Sequence, residues 1–413
     1  MPAHSSRLSQ RLAWDAPWNR WTSAAAARAA RGLPVIDLTV SNPTRVGLSY
    51  PADELREALD RGADAVYRPH PLGMPEAREA LAAVLSRPGD AVAADDLVLT
   101  ASTSEAYSYL FKVFADPGGE VLTAVPSYPL LDDLAALDGL TLRHFALEPG
   151  RRFSLDPGAM ARAVSPLTRA LVMIDPGHPT GGRLSTAEQD AAAGLCAEHG
   201  LPLVSDEVFA DYPLHLDGRE RDGSAATKRT DGAGPAAVRG DVLAISLGGL
   251  SKSAGLPGLK LAWLRLGGPP AERRRLLSAL ERVADSYLSV AAPVQQALGA
   301  ILGIAPRIRG AILERLLANL SRLRAAIAGT PALQLVEPDA GWSAVLRVPR
   351  LCSDEDLAVH ILDSAGVFVH PGHLFDFAAD GYLVLSLLPE PADFAAGTDR
   401  LIACLEELIA SPA

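Results

Sequence analysis

Six short segments of this chain are apolar along their length, and that pattern leaves few folds open. They fall at residues 96–100 (DLVLT), 120–124 (EVLTA), 170–174 (ALVMI), 202–205 (PLVS), 242–246 (VLAIS) and 261–266 (LAWLRL). A strand with one wet face alternates apolar and polar residues, whereas a strand covered on both faces does not. Between these runs lie segments with helical spacing of apolar residues, at 104–114, 129–137, 185–198 and 272–288, the first opened by a serine cap at Ser104 or just before it. Strands alternating with helices predict an α/β fold, with a mostly parallel central sheet and helices on both faces. Such sheets bind ligands beyond the C-terminal ends of their strands, and the polar candidate residues of this chain follow those ends.

A chain of 413 residues is expected to divide into one large and one smaller domain. The division read from the sequence is an N-terminal arm over 1–44, a large domain over 45–292 and a small α+β domain over 293–413. In the last, long helices rich in Ala, Leu and Arg precede a strand-like run at 341–348 and a final helix at 393–409. Residues 216–240 are charged and rich in Gly, Ala and Thr without periodicity, which predicts a surface loop. Trp14, Trp18 and Trp21 crowd the arm. Leaving them in water is costly, so the arm is expected to pack on the small domain or on a second subunit.

Lysine and arginine total 38 against 49 aspartates and glutamates, a formal charge of −11, with no basic stripe to meet a nucleic-acid backbone. Three scattered cysteines, Cys196, Cys352 and Cys404, give neither a disulfide framework nor a zinc pattern, which fits a reducing compartment. The first residues lack a signal peptide's apolar core, and no stretch reaches the roughly 18–20 apolar residues needed to span a bilayer. A cytoplasmic protein is expected.

Three local patterns bear on chemistry. Asp206, in SDEVF, ends an apolar run; a carboxylate buried there needs a cationic partner, although an aspartate capping the next turn reads the same way. Lys252, in GGLSKSAGLPGLK, stands among small turn-forming residues after another run, where desolvation lowers an amine's pKa. A generic lysine would be solvated surface. The segment does not fit a nucleotide phosphate loop, because the Gly-x-x-x-x-Gly-Lys spacing is absent. His178 lies in DPGHPTG, a turn stiffened by two prolines and two glycines. His70, His370 and His373 show no metal-ligand spacing.

Taken in order, these patterns make residues 35 to 390 resemble the fold-type I pyridoxal-5′-phosphate (PLP) enzymes of the class I/II aminotransferase family. The resemblance implies the PLP-dependent transferase fold, a Schiff base on Lys252 and a pyridinium partner in Asp206. It implies that Tyr128, in PSYP, stacks on the cofactor ring and that His178 stands in the turn that usually offers an asparagine to the cofactor's 3′-oxygen. Ser102, Thr103 and Ser104 match the phosphate loop, where N–H groups at a helix start take the anion. Lys260 takes the place of a phosphate-gripping arginine. Tyr67, in YRPHPLG, matches a tyrosine that reaches the phosphate of the neighbouring subunit, which implies a homodimer. Asn42 sits in the N-terminal loop on the substrate side, and residues 366–372 match a small-domain loop near the substrate.

The chain departs from the family at informative places. Phe209 replaces a tyrosine that usually gives the 3′-oxygen a second hydrogen bond, and Ser102 replaces a glycine, which predicts ordinary backbone angles there. Val384 falls where an arginine usually binds the substrate α-carboxylate. Either another cation serves, with Arg45 the nearest candidate, or the substrate is not an ordinary α-amino acid. The leading expectation is an aminotransferase moving an amino group between an amino acid or amine and a 2-oxo acid or other carbonyl acceptor. The same fold also supports lyase, synthase and decarboxylase chemistry, and non-catalytic PLP-binding relatives are the remaining alternative.

Overall fold

The computed structural model describes residues 8–60, 68–214 and 236–410. Its larger sheet has seven strands: β1 Leu97–Thr100, β2 Glu120–Val125, β3 Thr141–Ala146, β4 Thr168–Ile174, β5 Leu203–Asp206, β6 Ala244–Gly249 and β7 Ala262–Gly267. Their spatial order is β1-β7-β6-β5-β4-β2-β3. Every pairing is parallel except those of β7, which runs antiparallel to both β1 and β6. All residues of β1, β5, β6 and β7 are buried, as their unbroken apolar runs require.

The sequence reading misses β3 and misplaces the end of β6. β3 is an edge strand with four of its six residues exposed, so it lacks the apolar run that marks the inner strands. β6 extends through Gly248 and Gly249, which look like loop residues in the sequence. Gly248 lies opposite Trp263 across the sheet, and a Cβ there would come 2.5 Å from the indole nitrogen. The glycine is needed for packing. Of the segment read as a loop at 216–240, residues 216–235 lie outside the described residues, and Ala236–Val238 form a short 3-10 turn.

A smaller domain is built on an antiparallel sheet of β8 Gln334–Val336, β9 Ser343–Arg347, β10 His370–Pro371 and β11 Tyr382–Ser386, in the order β8-β9-β11-β10. The 30-residue helix Leu298–Ile327 and the C-terminal helix Pro391–Ala410 pack together beside it. Alternation along β11 splits its side chains between two cores. Leu383 and Leu385 join the main one, while Tyr382 and Val384 join a cluster with Phe153, Val345, Phe375 and Phe377.

The N-terminal segment returns to this smaller sheet. Helix Arg20–Ala30, capped by Asn19, lies on helix Asp354–Ala365, and Ile36–Asp37 pairs parallel with Val367–Phe368. Trp21 stacks on Phe368 with centroids 4.1 Å apart, and its indole N–H donates to the Val369 carbonyl at 2.8 Å. Trp14 and Trp18 stay 48% and 71% exposed, so only one of the three tryptophans anchors the arm within its own chain. No helix among the described residues is long and apolar enough to cross a membrane. Trp21→Ala removes the stacked ring and the buried hydrogen bond together. It is expected to lower unfolding free energy by about 3 kcal/mol, read as a lower urea midpoint at unchanged slope.

Candidate active site

Strand register gathers the candidate residues at one edge of the larger sheet. Thr100 pairs with Ala262, Ala262 with Gly249, Leu247 with Asp206, and Asp206 with Ile174. The segments beyond these positions carry Ser102–Ser104 after β1, His178 after β4, Lys252 after β6 and Lys260 before β7, while Tyr128 follows β2 at the same end.

Asp206 is buried as the last residue of β5. Its Oδ2 accepts the Tyr107 hydroxyl at 2.9 Å and its Oδ1 the Val208 N–H at 3.2 Å. Burial pushes its pKa up, against the opposing pull of these two donors and of the Lys252 charge. Lys252 sits on the single-turn helix Leu250–Ser253, whose position is fixed by the Tyr212 hydroxyl donating to the Lys252 carbonyl at 2.5 Å. Its Nζ lies 4.8 Å from the centroid of Trp342 and 5.5 Å from that of Phe209. Burial depresses its pKa, and Asp206 acts in the opposite sense.

His178 lies against Phe209, with ring centroids 5.5 Å apart, and meets Tyr128 at 6.2 Å and Phe375 at 5.6 Å, both edge-on. Burial, reinforced by the Lys252 and His370 charges, brings its pKa down to about 3. The imidazole is therefore neutral at neutral pH, with one N–H to donate. Tyr128 is half-buried, and burial together with the Asp206 charge raises its pKa.

Ser102 caps helix Thr103–Phe114, accepting the Glu105 N–H at 3.1 Å, while the Glu105 carboxylate accepts the Ala101 N–H at 2.6 Å. Serine meets no strain there, since its φ of −162° and ψ of 163° are extended. The N–H groups of Thr103 and Ser104 begin the helix, where no carbonyl of an earlier turn can take them. Lys260 adopts a left-handed backbone, φ 51°, and is exposed. Continuing the antiparallel register past Ala262 and Thr100 brings it alongside Ser102.

Other candidates are not drawn into this cluster. The Asn42 side-chain oxygen accepts both the N–H and the hydroxyl of Thr44, and Arg45 is exposed. Among the described residues, no hydrogen bond, ion pair or ring contact joins either to Lys252 or Asp206. Tyr67 lies outside the described residues. Val384 is buried opposite Val345 and His370 within the aromatic cluster of Phe153, Phe375 and Phe377, so that wall offers no cation.

Tyr107, Tyr212, Trp342 and Phe375 border the cluster but were not singled out from the sequence. Tyr107 shares the buried face of its helix with Leu110 and Phe111, so its spacing signals only core. Trp342 comes from the smaller domain, and nothing local in the sequence connects it to Lys252.

A lysine with a depressed pKa facing a buried carboxylate, beside an aromatic ring and an open helix start, is the equipment of an enzyme that works through a carbonyl cofactor. The sequence profile of the family described as "Aminotransferase class I and II" matches residues 34–390. An alanine aminotransferase of Mycobacterium tuberculosis is 27% identical over 388 residues, 91% of this chain and 87% of that protein. An arginine–pyruvate transaminase of Pseudomonas aeruginosa is 27% identical over 412 residues, 98% of each. Among solved structures, an alanine aminotransferase from Pyrococcus furiosus matches with a TM-score of 0.83 at 22% identity, covering 97% of this chain and 100% of that one. The chain belongs to the class I and II aminotransferase family. It is a PLP-dependent aminotransferase, and these relatives do not favour the lyase or non-catalytic alternatives.

The Tyr107 hydroxyl lowers the Asp206 pKa, so its removal raises it and protonates the carboxylate at higher pH. In Tyr107→Phe the acid limb of kcat/KM is expected to move up by about one pH unit, as loss of a hydrogen bond to a charged group implies. A pH profile of the purified variant measures the shift.

Proposed function

We propose that Lys252 is the covalent anchor and proton carrier of this aminotransferase, and that Asp206 is the partner of the cofactor's ring nitrogen. The supporting observation is that an amine and a carboxylate, each pushed toward its neutral form by burial, oppose that push in each other at one sheet edge. When bound, PLP supplies an electron sink for cleavage of a bond at the substrate's Cα. Asp206, held in orientation by Tyr107 and Val208, keeps a proton on the ring nitrogen. Lys252, whose burial makes its proton easier to lose, can carry a proton between the substrate Cα and the cofactor's 4′ carbon. Trp342 and Phe209 flank the amine and exclude water from it.

The residues present fit the rest of the cofactor. Tyr128 covers one ring face, His178 offers its single N–H to the 3′-oxygen, and Ser102, Thr103, Ser104 and Lys260 receive the phosphate. Phe209 has no hydroxyl to offer that oxygen. In this reading Tyr67 comes from a second copy, so the working unit is a homodimer, and the division into an arm over 1–44, a large domain over 45–292 and a small domain over 293–413 describes each subunit. Asn42 and Arg45 line the substrate side from the N-terminal loop. A cytoplasmic location belongs to the same reading and is supported by three free cysteines, two of them buried.

The substrates are an amino donor and a 2-oxo acid or other carbonyl acceptor. The relatives are named for alanine and for arginine with pyruvate, which supports an amino acid as donor and leaves its side chain to a donor panel. Buried Val384 requires that a donor carboxylate, where there is one, be held elsewhere than at that position. Borohydride reduction of the purified protein is expected to leave a pyridoxyl group on the peptide containing Lys252, found by mass spectrometry. Lys252→Ala is expected to lose that label and at least about 10²–10⁴-fold in turnover. A label on another lysine would refute the assignment.

A further inference from the structure

A cleft of about 500 Å³ opens where the hairpin Glu148–Pro149/Phe153–Ser154, which follows β3, meets the smaller sheet. Arg151 at the hairpin tip, Arg324 in the last turn of helix Leu298–Ile327, and Arg347 at the end of β9 line it, with Glu337 just beyond β8. Three arginines and one glutamate line it. In a chain with a net charge of −11, such a cationic hollow is not a by-product of composition.

The local pairing does not use up these groups. Arg324 Nη2 pairs with Glu337 Oε2 at 2.6 Å, and Arg347 Nη2 donates to the Gly150 carbonyl at 3.1 Å. The Arg347 guanidinium also lies over the Tyr382 ring, 5.6 Å from its centroid, which holds the fork in place. The Nε atoms of both Arg324 and Arg347 are buried without a hydrogen-bond partner. Those buried atoms are out of a ligand's reach, but among the described residues Arg151 makes no side-chain hydrogen bond or ion pair, and Arg324 and Arg347 each engage only Nη2 in the pairs named above. A planar guanidinium suits carboxylate and phosphoryl oxygens, which it can meet with two parallel bonds.

We propose that this cleft is a second binding site, taking a small dianion of the dicarboxylate or phosphoryl class. It is separate from the catalytic cluster: Trp342, which borders Lys252, is five residues up the strand from Arg347, about 16 Å at the rise of an extended chain. A bound dianion ties the hairpin to the smaller domain. Phe153 of the same hairpin packs 5.9 Å from Tyr382, in the cluster that contains Val384, so the tie acts on the wall of the substrate side.

The test is isothermal titration of the cofactor-loaded protein with inorganic phosphate and, separately, with succinate, ionic strength being held constant with sodium chloride. At least one anion is expected to bind with a Kd below about 1 mM without changing the cofactor absorbance. Arg151→Glu and Arg324→Gln are each expected to weaken that binding by at least about tenfold. Arg151 is exposed, so its variant should fold even if the other does not. Binding of phosphate alone identifies a phosphoryl ligand, and binding of succinate alone a dicarboxylate; either supports the site. The proposal fails if neither anion binds in that range, or if both variants bind as tightly as the parent. It also fails if succinate binds only with a shift of the cofactor band, which would place it at Lys252.

Discussion

A carboxylate buried at the end of a strand is the constraint around which this molecule is arranged. Burial alone disfavours the charge of Asp206 and pushes its pKa up. Three neighbours counter that cost: a phenol from the helix after β1, a backbone N–H two residues on, and an amine from the single-turn helix after β6. The phenol and the amine come from separate parts of the chain and meet the carboxylate only because the strands lie in the order observed. The amine has the complementary difficulty, since its burial favours the uncharged form. Each group partly restores the charge of the other, and a bound pyridinium would complete the set.

Around this pair the structure replaces polar groups with aromatic ones. Phe209, Trp342, Phe375 and Tyr128 border the amine or the imidazole of His178, and His178 is held neutral. Val384 continues the trend on the smaller sheet, packed among phenylalanines. A chamber of this kind strengthens the few electrostatic contacts it contains by excluding water.

Much of this was legible in the sequence, for physical reasons that differ by residue. Strands covered on both faces leave unbroken apolar runs, so β1, β2, β4, β5 and β7 could be located and the residues after them identified as a possible site. β3 could not, because an exposed edge strand carries no such run. Gly248 looked like loop because its cause, the indole of Trp263 across the sheet, is 15 residues away in the chain. Asp206 and Lys252 were readable because their neighbours in sequence are distinctive. Tyr107 and Trp342 were not, since a buried aromatic at helical or strand spacing looks like core wherever it points. The cationic cleft was invisible for a related reason: its three arginines come from a hairpin, a helix end and a strand, and no local pattern joins them.

The reversed direction of β7 has a consequence for the order of assembly. β1, which leads into the Ser102–Ser104 helix start, lies at the sheet edge, and among the described residues β7 is the one strand it pairs with. Its partner residues are about 160 positions further along the chain, so closing this pair carries the entropy of a very long loop. An emerging polypeptide can lay down β2, β3, β4 and β5 side by side while β1 still waits. The corner where Ser102–Ser104 meet Lys260 is therefore among the last parts of the larger sheet to be completed, and a chain interrupted before residue 262 would have most of the framework but no strand for β1 to pair with.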